Sequence, residues 1–142
     1  VSKLTSAGIP VLGHIGILPQ FILGEGGYRV HGRTEEEAAG LETDALALQE
    51  AGAFGVVFEG MPLQLSAELT AKLRIPTIGI GAGEGCDGQI QVLHDLLGLF
   101  ESFVPKHAKR YASFATLTRE ALGNYRDEVR NRQFPDEEHS FS

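Results

Sequence analysis

The chain has 142 residues and a formal net charge of −7, from 12 Lys and Arg against 19 Asp and Glu, with 42% hydrophobic and 22% charged residues. That length supports one modest domain with a real core, and the acidic balance without a basic stripe excludes a phosphate-backbone binder. A single cysteine, Cys86, excludes a disulfide framework and a thiolate metal site. No apolar run approaches the roughly 20 residues of a membrane span, and no signal-peptide pattern opens the chain. A soluble, cytoplasmic protein is expected. The local cluster Lys106, His107, Lys109 and Arg110 reads as a solvated helix face. The chain opens on Val1-Ser2-Lys3, its only methionine is Met61, and Gly8-Ile9-Pro10 leads almost at once into a strand, which suggests the second part of a longer protein.

In chain order, the first strand is expected at Ile9-Pro-Val-Leu-Gly-His14. Glycines 24, 26, 27 and 32 then mark an exposed, mobile loop, with the hinge freedom a lid over a site would need. Thr34-Glu-Glu-Glu37 has the capping-box form, Thr34 bonding forward and Glu37 reaching back. It opens a helix carrying Ala38, Leu41, Ala45, Leu46 and Leu48, stopped by Gly52. The second strand, Phe54 to Phe58, is an apolar run that ends abruptly on Glu59 and on the turn formers Gly60 and Pro62. A helix starting near Pro62 or Ser66 follows, with Leu65, Leu69 and Leu73 on one stripe. The third strand is Pro76-Thr-Ile-Gly-Ile80, running into Gly81-Ala-Gly83. The fourth is Gln89-Ile-Gln-Val-Leu93, ending on His94 and Asp95. One helix is expected from Pro105, a good first-turn residue. A last one spans about Leu117 to Arg132, with Leu117, Ala121, Leu122, Tyr125 and Val129 on its apolar side. The tail from Pro135 is polar and irregular.

Strand alternating with helix implies a parallel sheet with right-handed crossovers. Four such units leave unpaired sheet edges, whereas eight close into a barrel. The pattern therefore predicts an α/β chain, residues 1–142, that forms the carboxyl-terminal half of a single (β/α)8 TIM-type barrel. By itself such a half should aggregate or fold poorly.

In a barrel, the strand ends bring His14, Glu59, the Gly79-Ile-Gly-Ala-Gly83 loop and His94-Asp95 to one mouth. Glu59 there is either a general base tuned by partial desolvation or the start of a solvated loop. His14 either donates to a substrate oxygen or serves as a hydrogen-bonded structural histidine. The glycine run lacks the P-loop lysine and the dinucleotide spacing, so tight turn geometry explains it at least as well as ligand approach. His94 and Asp95 suit a buried pair tying the last strand to its helix. A metal site from His14, Glu59 and His94 is conceivable, but no local spacing supports it.

Several segments together resemble the ketopantoate hydroxymethyltransferase (3-methyl-2-oxobutanoate hydroxymethyltransferase) family. They are Gly8-Ile-Pro-Val-Leu-Gly-His-Ile-Gly-Ile-Leu-Pro-Gln20, Gly26-Gly-Tyr28 with Gly32-Arg33, Phe58-Glu59-Gly-Met-Pro62, Ile75-Pro-Thr-Ile-Gly-Ile-Gly-Ala-Gly83, Asp87-Gly-Gln-Ile90, Leu93-His-Asp95 and Glu137-Glu-His-Ser-Phe141. The resemblance implies a cytoplasmic (β/α)8 barrel enzyme of pantothenate, and hence coenzyme A, biosynthesis, assembled as a homo-oligomer, usually a decamer. It implies transfer of a one-carbon unit from 5,10-methylenetetrahydrofolate to 3-methyl-2-oxobutanoate, giving 2-dehydropantoate through a Mg2+-stabilised enolate. Glu59 matches the family's catalytic base and His14 an active-site histidine lining the substrate site. Gly60 stands where better-known members carry Cys. The Mg2+ ligands and the substrate-binding Ser and Lys are implied to lie on an amino-terminal half outside this chain, so the segment carries no metal site and should be inactive alone. Two other readings compete. One is an oxo-acid enzyme of the phosphoenolpyruvate mutase and isocitrate lyase type, which a thiol nucleophile or phosphate loop would favour. The other is an inactive structural half, for which Glu59→Gln would leave turnover unchanged.

Overall fold

A computed structural model describes residues 1–21, 23, 24 and 26–141. They form two compact units, one from Val1 to Ile90 and the other from Gln91 onward.

The first unit opens with a short helix, α1 (Ser2–Ser6), which the sequence reading did not anticipate. The Thr5 hydroxyl donates to the carbonyl of Ala51 at 2.7 Å and ties α1 to the end of the next helix. The unit continues through β1 (Leu12–Gly16), a 3-10 turn (Pro19–Phe21), α2 (Glu35–Glu50), β2 (Gly55–Glu59), α3 (Leu63–Lys72), β3 (Thr77–Ile80) and β4 (Gly88–Gln89). The four strands form one parallel sheet in chain order. Its first strand lies later than expected, because Ile9 to Val11 precede the ladder that pairs Leu12 with Gly55 and Gly16 with Glu59.

Side chains alternate across a strand, so one face of the sheet goes to the helices. Ile15, Val56 and Phe58 meet Ala45, Leu69, Met61 and Ala82, with Leu41, Leu48, Leu65 and Leu73 around them. Phe58, Leu69 and Val56 are fully buried, and burying a side chain of that size contributes about 1.5–3 kcal/mol. The predicted Leu65, Leu69 and Leu73 stripe is thus the packing face of α3. The registered pairs His14–Val57, Gly16–Glu59 and Glu59–Ile80 occupy the opposite face.

Thr34 caps α2 as expected, accepting from the Glu37 amide at 3.2 Å. Glu37 does not complete the reciprocal half of the box. Its carboxylate instead accepts from the amides of Gly32 and Arg33, both at 3.0 Å, and from Arg29 at 2.6 Å. Gly32, at φ 88°, turns both amides toward the carboxylate, a conformation that a side chain would resist.

The third strand–helix unit lacks its helix. Parallel strands ordinarily need a crossover of a dozen or more residues, yet residues 81–87 alone connect β3 to β4. This short link packs on α3, and a β-carbon at Gly85 would come within 2.6 Å of the Ala67 side chain.

The expected fourth strand is also shorter. Alternation in Gln89-Ile-Gln-Val suggests a half-buried strand, but Ile90 and Val92 are each 50% exposed, and pairing ends after Gln89 and the Ile90 amide.

In the second unit, α4 (Leu93–Leu96) carries His94 and Asp95, which therefore do not end a strand. His94 is exposed, and neighbouring positions on a helix do not face each other, so the expected buried pair does not form. No helix starts at Pro105, where only a turn forms, Ala108 N to Pro105 O at 2.9 Å. The Gln91 side chain takes both backbone groups of Lys109, at 2.6 and 3.0 Å, and so competes with helix formation. The basic cluster is solvated but not helical.

The last helix, α5 (Phe114–Arg130), has no buried residue, and Leu117, Leu122, Tyr125 and Val129 are exposed within this unit. The tail turns back rather than trailing away: Phe134 packs edge-on against Tyr125, and Asp136 pairs with His139 at 2.6 Å. No helix among the described residues is long and apolar enough to cross a membrane.

The Glu37 clamp predicts a pH dependence. The Arg29 guanidinium and the two amides hold the Glu37 carboxyl at about 2, below its ordinary 4.5. A depressed folded-state value stabilises above the unfolded value and loses that contribution as pH falls through the folded one. In urea unfolding of the complete barrel, the advantage of the wild-type protein over Glu37→Gln should be full at pH 6, shrink below 4.5 and vanish below about pH 2. Added salt should reduce it, because the carboxylate is partly exposed.

Candidate active site

Glu59 is the last residue of β2, and the sheet positions it from both sides. Its carbonyl accepts from the Ile17 amide at 2.8 Å, while the next amide, that of Gly60, donates to the Ile80 carbonyl at 3.0 Å. The Gly60 carbonyl accepts from the His31 amide at 3.1 Å. The two ends of the loop between β1 and α2 are thus fastened to consecutive carbonyls at the end of β2. Part of the Gly24–Gly32 segment, Glu25, lies outside the described residues, as does Ile22 before it; Leu23 and Tyr28 are exposed.

The Glu59 side chain is 17% exposed and that of His14 is 33% exposed, with Glu59 Oε2 3.1 Å from His14 Nε2. This spacing suits an ion pair if the imidazole is protonated. The approach is off-line for a hydrogen bond, and the buried Nε2 has no hydrogen-bond partner among the described residues. A carboxylate and an imidazole meet at the end of a strand, each with polar capacity to spare.

An open depression of about 460 Å³ borders the outer edge of β1, lined by His14, Gly16, Leu18, His31, Asp44 and Leu48 among others. Glu59 does not line it. No group of three or more His, Cys, Asp or Glu that could hold a metal ion occurs among the described residues.

The glycine run has a packing explanation. A β-carbon at Gly83, which sits at φ 79°, would collide with Leu63 of α3, and one at Gly79 would press on Gln89 and Cys86. The Gln89 amide fastens this loop by donating to the Gly83 carbonyl at 2.8 Å.

Sequence reasoning missed the polar lock beneath the loop. One Asp87 carboxylate oxygen accepts from the Thr77 amide at 2.9 Å and from its hydroxyl at 3.1 Å. The Asp87 amide donates to Thr77 Oγ1 at 3.2 Å, and the Thr70 hydroxyl lies 2.8 Å from the same atom. The only advance signal was the Asp87-Gly-Gln triplet itself. Cys86 sits beside these hydroxyls, and burial pushes its thiol pKa upward, away from the thiolate that a nucleophile needs.

Of the residues expected at one mouth, the structure brings together Glu59, His14 and the loop after Ile80. His94 and Asp95 belong to the second unit.

The ketopantoate hydroxymethyltransferase family profile matches residues 1–137. The chain belongs to this family. It is 56% identical over 140 residues to the 3-methyl-2-oxobutanoate hydroxymethyltransferase of Chloroflexus aurantiacus, an alignment covering 99% of this chain and 50% of that protein. It is 55% identical over 141 residues to the Moorella thermoacetica enzyme of the same name, covering 99% and 52%. The Geobacter sulfurreducens enzyme of that name is 53% identical over 142 residues, covering 100% and 53%. The chain spans about half the length of the curated relatives it matches.

The Asp87 lock predicts a specific stability pattern. Asp87→Ala strands the buried Thr77 amide and should cost about 1–3 kcal/mol in urea unfolding of the complete barrel. Asp87→Asn keeps one acceptor oxygen and should cost less than half of that.

Proposed function

We propose that this chain is the carboxyl-terminal half of a (β/α)8 barrel hydroxymethyltransferase of pantothenate biosynthesis, cytoplasmic and homo-oligomeric. The reaction moves a one-carbon unit from 5,10-methylenetetrahydrofolate to 3-methyl-2-oxobutanoate, giving 2-dehydropantoate. The observation that carries this reading is the placement of Glu59. Its carboxylate is mostly shielded, held by the sheet at a strand end, and 3.1 Å from His14 Nε2. Family membership and the names of the relatives support the choice of substrates.

Glu59 is the general base. The C3–H bond of the oxo-acid breaks, its proton passes to the Glu59 carboxylate, and the electron pair delocalises onto the ketone oxygen as an enolate. Water hydrolyses the two methylene–nitrogen bonds of the cosubstrate, releasing tetrahydrofolate and a one-carbon unit at the formaldehyde level. C3 bonds to that carbon as its C=O π bond breaks, and the resulting alkoxide takes the proton from Glu59. Partial burial favours the proton transfer by limiting competing water around the carboxylate. His14 lines the substrate site, where its unpartnered Nε2 meets a substrate oxygen. Mg2+ would stabilise developing negative charge, but the described residues of this chain do not assemble a ligand set for it. Its ligands belong with the remainder of the barrel.

A parallel sheet ending at β1 and β4 has two edges, and a further set of strand–helix units would cover them. The partner required for activity is therefore the amino-terminal half of the same barrel.

Proton NMR of 3-methyl-2-oxobutanoate in D2O with Mg2+ and no folate tests this reading. The complete barrel should exchange the C3 proton, Glu59→Gln should slow exchange by about 10²–10⁴-fold, and this chain alone should show none. Unchanged exchange in Glu59→Gln would overturn the assignment of the base.

A further inference from the structure

The geometry points to Gly16 as a positioning residue for Glu59, a role that rests on the reading of Glu59 as the base. Gly16 ends β1 in register with Glu59. At φ 92° it occupies the left-handed region that side chains disfavour. More decisively, a β-carbon there would collide with the Glu59 carbonyl oxygen and come within 3.0 Å of the Met61 side chain. That same carbonyl accepts the Ile17 amide at 2.8 Å. The bare α-carbon of Gly16 thus lets the end of β1 close against the peptide that carries the base.

The obstacle would be backbone rather than the tip of a flexible side chain, so the Glu59 peptide itself would have to shift. That peptide is fixed on its other side by the Gly60 amide and the Ile80 carbonyl. A displacement would break one of the two bonds and move the carboxylate relative to His14. A misplacement of about 1 Å at a reacting group can cost on the order of 10²-fold in rate.

Gly8 provides the control. Its φ of 79° is also left-handed, but a β-carbon there meets nothing within 4 Å. Gly8→Ala carries the backbone strain without the collision.

The test compares Gly16→Ala, Gly8→Ala and wild type in the complete barrel, by C3-proton exchange kinetics and by amide hydrogen exchange at Ile17 and Gly60. Gly16→Ala should lower kcat for exchange at least tenfold, keep KM within twofold, and lose protection at Ile17 or Gly60. Gly8→Ala should stay within twofold in kcat and keep both amides protected. Equal kcat losses in the two variants, or retained kcat and protection in Gly16→Ala, would overturn the proposal. If Gly16→Ala does not fold, replacing Ile17 by its α-hydroxy acid analogue removes the amide donor without adding a side chain, and kcat should still fall at least tenfold; an unchanged kcat would overturn the role. If the wild-type protein exchanges no C3 proton, the base assignment fails, and the amide protection still decides whether Gly16 positions the Glu59 peptide.

Discussion

The peptide between Glu59 and Gly60 is the point on which the candidate site depends. Its carbonyl is taken by the Ile17 amide of one flank and its amide by the Ile80 carbonyl of the other. A carboxylate on a loop would need several side-chain contacts to hold it within the fraction of an ångström that catalysis demands. Here the backbone of three parallel strands does that work, and the side chain has only its own rotamers left to set.

That arrangement requires close packing at both ends of the sheet. On the helix-facing side, Phe58 and Val56 anchor β2 against α2 and α3, so β2 cannot slide by one residue without sending Glu59 into the core. At the mouth, Gly16 and Gly60 allow β1 and the turn after β2 to approach at distances a side chain would prevent. Beyond β3, Gly83 and Gly85 press the short crossover onto α3, and Asp87 secures its far end to Thr77. A helix in that position would ordinarily bury its own apolar stripe; the glycine link replaces it with contact between backbone and α3.

Much of this was legible in the residues. The apolar run ending on Glu59, the leucine stripe of α3 and the Thr34 cap are local patterns, and local patterns depend on neighbours three or four positions away. The parallel sheet followed from the alternation of strand and helix signals. Expectations failed where another partner competed or pairing ended early. Glu37 exchanged the Thr34 amide for those of Gly32 and Arg33 once Gly32 turned them inward. Pro105 did not start a helix because Gln91 claims the backbone of Lys109. The alternation after Gln89 suggested a longer strand, yet pairing stops there and Val92 opens α4 instead.

The sequence by itself determined the family, the parallel α/β class and the candidacy of Glu59, because ordered motifs and a carboxylate ending a buried strand are properties of consecutive residues. The tertiary structure alone decided that His14 Nε2 lies 3.1 Å from that carboxylate, that His94 and Asp95 belong to a different unit, and that the glycine loop is a packing device. Each of these depends on strand register or on the approach of segments far apart in the chain. Registers and approaches are set by the packing of whole elements, which no local spacing encodes.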